Sequence, residues 1–124
     1  MNNKDFEETI RKTQRLSSAV MNAGKILDYQ THAVVSKEVL RRDKGTITVF
    51  AIWKNQEISE HTTPYEAMVY VIEGEMEITI SGKSQVLSDD ELIIMPPDEP
   101  HALKALQNSK FLLVMINPVK SQSN

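Results

Sequence analysis

The chain of 124 residues predicts an all-β domain, a small sandwich or barrel built from short strands. Three observations carry that prediction. Short runs rich in Val, Ile, Thr, Tyr and Phe recur from residue 34 onward, which suits a pleated surface. Gly, Asn, Asp and Pro separate the runs at intervals of about 8–12 residues. Residues 69–72, 92–95 and 112–116 are apolar on both faces, as expected when one face lines an interior and the other meets a second sheet or subunit.

Composition is that of an ordinary globular domain, with 40% hydrophobic and 25% charged residues. The length corresponds to one domain. A formal net charge of −3, with no basic block longer than Arg41-Arg42, argues against a nucleic-acid partner. The absence of Cys removes disulfides, thiolate ligands and Cys nucleophiles. No run of about 18 apolar residues indicates a membrane span, and residues 1–8 lack the apolar stretch of a signal peptide, so a cytoplasmic location is expected.

Residues 1–30 read as a helical segment or arm. Asn3 or Asp5 is placed to cap a helix with Phe6, Ile10, Leu16 and Val20 near one face, and Gly24 stands where it would end. Thr9, Thr13, Ser17 and Ser18 thin that apolar stripe, so the helix needs a body or partner to pack on. Residues 31–119 are expected to form the barrel and 120–124 a frayed tail.

Val34 to Leu40 begins the strand series, and residues 41–45 read as a turn in which Gly45 takes positive φ. Residues 46–53 form the next strand. Lys54-Asn55-Gln56 turns the chain, since Asn tolerates the left-handed region best among non-Gly residues. Met68 to Ile72 precedes Glu73-Gly74-Glu75. Met76, Ile78 and Ile80 then alternate with Glu77 and Thr79, which buries one face and puts Glu73, Glu75 and Glu77 on the wet side. Ser81-Gly82-Lys83 is a hairpin turn, Val86-Leu87 a short strand, and Leu92–Met95 stops at Pro96-Pro97. Residues 101–106 and 111–116 complete the series.

Two segments, Glu60-His61-Thr62-Thr63-Pro64-Tyr65-Glu66-Ala67 through Gly74, and Ile94-Met95-Pro96-Pro97-Asp98-Glu99-Pro100-His101, resemble the two motifs of the cupin superfamily. Asn55 takes the first Gly place, His61 the first His, Thr63 the second His, Ala67 the Glu, and Gly74 the closing Gly. In the second motif Asp90 and Asp98 stand for the Gly residues, Pro96 and His101 match, and Ala105 replaces the Asn. The resemblance implies a double-stranded β-helix, or jelly-roll barrel, with His61 and His101 facing its interior. It also implies a divalent transition metal (Fe, Mn, Ni or Zn) where the full three-His, one-Glu set is present.

Only two of those four ligands survive here. Thr63 is a poor ligand for such an ion and Ala67 is none. Three readings of His61 and His101 therefore stand side by side: polar handles for a small-molecule ligand in a metal-free pocket, a weak two-His metal site, or a hydrogen-bonded structural pair. On the first, the ligand pocket comprises His61, Thr63, Ala67, Val69, Met76, Met95 and His101. On the second, His61 and His101 hold the metal of a dioxygenase- or isomerase-type enzyme. On the third, the barrel has a structural or oligomerisation role. His32 is the only other imidazole available to the site. No nucleophile elbow or spaced Ser-His-Asp set is present. A homodimer is expected on any reading, because edge strands of small barrels need cover.

Overall fold

A computed structural model of the chain describes residues 17–118. Nine strands follow one another: β1 (Val34–Arg42), β2 (Gly45–Ile52), β3 (Glu57–His61), β4 (Glu66–Glu73), β5 (Glu75–Ile80), β6 (Lys83–Ser88), β7 (Leu92–Met95), β8 (His101–Ala105) and β9 (Ser109–Ile116). They form a five-stranded sheet in the order β1-β2-β9-β4-β7 and a four-stranded sheet in the order β3-β8-β5-β6. All the pairings are antiparallel. The fold is the jelly-roll barrel expected from the sequence.

Period-2 alternation decides what each sheet turns inward. Across the large sheet, Phe50, Phe111 and Val71 are in register, and one pair further on Leu113, Val69 and Ile93 are in register. Across the small sheet, Ile78 faces Leu103, which faces Ile58. These rows meet in one apolar cluster that includes Ile52, Val69, Met76, Met95 and Phe111. Phe50 and Phe111 stack with ring centroids 4.8 Å apart.

The outer face of the large sheet is also apolar. Leu40, Ile47, Val114, Met68 and Ile94 lie in one cross-strand row spanning all five strands. Residues 22–33 cross part of this face. Lys110 is buried and its Nζ donates to the Gly24 carbonyl at 2.6 Å, while the Tyr29 hydroxyl donates to a Glu73 carboxylate oxygen at 2.9 Å. Burial and that carboxylate hold the Tyr29 hydroxyl well above the ordinary phenol range. Glu73 is thus an anchor for the N-terminal segment rather than a solvated side chain, because that segment covers the outer face onto which a bulge between Val71 and Glu73 turns it.

Three local expectations change. Phe6, Ile10 and Leu16 of the predicted helix lie outside the described residues; Val20, its fourth apolar position, is fully exposed and outside any helix, and the described N-terminal segment holds a single 3₁₀ turn, Ala23–Lys25, with Gly24 inside it. Strand β1 runs on through Arg42, so the turn shrinks to Asp43-Lys44. Gly45 is required for close approach rather than for positive φ, since a Cβ there would collide with the Met115 carbonyl oxygen. The strand β3 was not set apart by alternation, because a bulge between Ile58 and His61 breaks its period.

Candidate functional site

That bulge positions the site. Ile58 pairs with Leu103 and His61 with His101, so three steps on β3 match two on β8. Strict alternation would send Ile58 and His61 to opposite faces; the extra residue brings both to the same one. His101, Leu103 and Ala105 alternate inward on β8 and are buried, with His101 3% exposed. His61, the last residue of β3, is exposed at the barrel's rim.

The two rings meet edge to face, with centroids 4.3 Å apart, and their Nε2 atoms are separated by 3.1 Å. Each ring is oriented by its own chain two residues back. His61 Nδ1 lies 2.8 Å from the Ser59 carbonyl and His101 Nδ1 lies 3.2 Å from the Glu99 carbonyl. A carbonyl oxygen only accepts, so both Nδ1 atoms carry hydrogen and donate. In neutral rings this leaves both Nε2 atoms as lone-pair acceptors aimed at each other. Burial lowers the pKa of His101, against a smaller upward effect of its bond to Glu99, and a charge on His61 lowers it further.

The other predicted pocket residues are arranged around this pair in different ways. Ala67 is buried and in register with Met95 and Met115. Val69, Met76 and Met95 are packed in the apolar cluster. Thr63 lies beyond the end of β3, where its Oγ1 accepts the Tyr65 N–H at 3.3 Å and its carbonyl accepts the Asp98 N–H at 2.8 Å. It is therefore a turn-maker, not a strand residue beside His61. Glu60 and Glu66 are exposed. His32 packs edge-on against Trp53 at 6.3 Å instead of joining the pair.

The donor set does not fit a resident transition metal. Two imidazole nitrogens converge, and among the described residues no group of three or more His, Asp or Glu side chains is placed to hold an ion.

A cavity of about 760 Å³ opens at the β1–β2 end of the large sheet, lined by Arg41, Arg42, Asp43, Lys44, Gly45, Thr46, Tyr65 and Met115. Sequence reasoning assigned residues 41–45 to a turn and so missed it. The available signal was the doubled Arg followed closely by Lys in an acidic chain.

Comparison with known proteins agrees with this architecture. The model of the cupin domain family matches residues 48–117. A conserved protein of unknown function from Streptococcus pyogenes is 32% identical, with a TM-score of 0.78 over 82% of this chain and 90% of that one. A cupin 2 conserved barrel domain protein from Leptotrichia buccalis is 28% identical, with a TM-score of 0.73 over 75% of this chain and 45% of that one. A cupin superfamily protein from Desulfitobacterium hafniense shares the fold at 18% identity and a TM-score of 0.75, over 82% and 93% of the two chains. No curated protein matches the chain at a significant level. Among the described residues no helix is long and apolar enough to cross a membrane.

Proposed function

Since this chain belongs to the cupin family, we propose that it is a small-molecule binding barrel whose ligand presents a hydrogen-bond donor to His61 and His101, with no resident metal required. One observation carries the reading: the two Nε2 atoms, 3.1 Å apart, both act as acceptors when the rings are neutral. A buried acceptor left without a donor costs about 1–3 kcal/mol. A hydroxyl or N–H that approaches the two nitrogens from the side relieves that cost at His101, and an apolar ligand of the same shape does not. The donor set supports the metal-free form of this reading, because only two nitrogens converge.

Calorimetric titration of chelator-treated protein with a panel of small phenols and alcohols tests it. Saturable binding is expected for donor-bearing compounds, weakened about tenfold in His101→Leu, the equivalent of about 1.4 kcal/mol. Binding that appears only after a divalent metal is added would replace this reading with a metal-dependent one. No binding under either condition would leave the structural role.

We also propose that a second copy covers the outer face of the large sheet. The row Leu40, Ile47, Val114, Met68 and Ile94 supports this, with Ile94 54% and the neighbouring Ile116 53% exposed. A hollow of about 280 Å³ beside Leu40, Ile47, Val114 and Ile116 adds relief into which another copy's side chains fit. Contiguous exposed apolar surface of this kind marks association sites.

A further inference from the structure

We propose that the cavity at the β1–β2 turn is an anion subsite that takes the carboxylate of a small organic acid. This names the ligand class of the barrel and rests on the ligand-binding reading above. The cavity walls carry Arg41, Arg42 and Lys44 against a single acid, Asp43. The chain as a whole is acidic, at −3, so the cationic surplus is local to this mouth. A concave site of one sign concentrates small ions of the other.

The position of the cavity ties it to the barrel interior. Arg41, Thr46, Met115, Ala67 and Met95 form one inward row across the five strands, so Met115 separates the cationic end from Ala67. Ala67 occupies the place of the glutamate in the cupin motif, so no carboxylate stands at that position behind Met115. Tyr65, on the far wall, is held by its N–H bond to Thr63 Oγ1, two residues past His61. Met115 and the Tyr65 ring supply an apolar surface, and the volume is that of a pocket for a small organic molecule.

A carboxylate already sits on Arg41. Glu38 accepts from its Nε at 2.6 Å and its Nη2 at 2.7 Å. This is the fork geometry in which guanidinium binds carboxylates. The pair is solvent-exposed, and exposed pairs are held weakly. Glu38 therefore acts as an internal stand-in that an incoming carboxylate displaces. Arg42 is fixed nearby by donating to the Arg41 carbonyl at 2.7 Å. Deleting the charge of Glu38 thus strengthens anion binding, whereas a merely structural ion pair predicts no such gain.

The test uses the full chain at low ionic strength, with benzoate, its neutral analogue benzamide and phenyl phosphate as probes. Benzoate is expected to bind at least tenfold more tightly than benzamide. Arg41→Gln is expected to weaken benzoate about tenfold and Glu38→Gln to tighten it several-fold, with benzamide unmoved by either. Equal affinity for benzoate and benzamide, or no opposite response of the two variants, overturns the proposal. So does a strong preference for phenyl phosphate over benzoate, since the subsite is then for a dianion. 4-Hydroxybenzoate, which adds a hydroxyl donor that benzoate lacks, separates the two readings in His101→Leu: if it keeps its Arg41 and Glu38 dependence and its full affinity in that background, the subsite stands and the histidines are removed from the ligand site.

Discussion

His61 and His101 present their Nε2 atoms to each other at 3.1 Å while each gives its Nδ1 hydrogen to a backbone carbonyl. Three hydrogen bonds of this kind need three N–H groups, and two neutral imidazoles carry only two. The fully bonded pair is therefore a cation. Burial of His101 opposes that charge. The conflict leaves two acceptors facing each other, the unmet need on which the proposed ligand donor rests.

The direction of the His101 shift sets a pH dependence. Its folded pKa lies below the ordinary value of 6.5, chiefly through burial. The unfolded chain then binds the proton more readily than the folded one, so the contribution is present above about pH 6.5 and is lost as pH falls toward the folded value. Urea denaturation across this range is expected to show the parent losing stability on acidification by more than His101→Leu does. Parallel curves for the two proteins would contradict the assignment.

The partly exposed apolar row on the large sheet predicts an assembly phenotype. Ile94→Glu places a charge at the β7 end of the proposed contact while leaving the core, which Ile94 does not join, intact. Sedimentation is expected to show the parent as a dimer and the variant as a monomer with an unchanged circular dichroism spectrum. A monomeric parent would remove the dimer.

The turn residues predict a contrast in stability. Gly74 has φ of +108, and a Cβ there would lie 2.6 Å from the Asn108 carbonyl oxygen and against Ser109. Gly74→Ala is expected to destabilise the fold by on the order of 2–3 kcal/mol. Asp98 holds φ of 65. Asp98→Gly is expected to be neutral or stabilising by up to about 1 kcal/mol, and Asp98→Val destabilising, as thermal melts would report.

These turns explain how much of the fold was legible. Asn55, Asp90 and Asp98 stand in for three glycines of the cupin pattern, and all three adopt positive φ, at 71, 64 and 65. The spacing survived because Asn and Asp satisfy the same backbone demand, so the barrel could be read through the substitutions. Strand alternation likewise sent Val69, Met76, Met95 and His101 inward. Bulges defeated it elsewhere. The one before His61 put the ring on the inner face for a reason that no sequence period shows, and the one at Glu73 turned an apparently solvated acid into the partner of Tyr29. The cationic cavity was hidden because Arg41 belongs to a strand that outlasts its apolar residues.

Nitrogen NMR of histidine-labelled, chelator-treated protein at about pH 8 is the most direct measurement, with His32→Gln used to remove the third ring from the spectrum. His61 and His101 are both expected to carry hydrogen on Nδ1 and to show an unprotonated, acceptor-type Nε2. A hydrogen on Nε2 of either ring would contradict it, because the pair would then satisfy itself and no ligand donor would be called for.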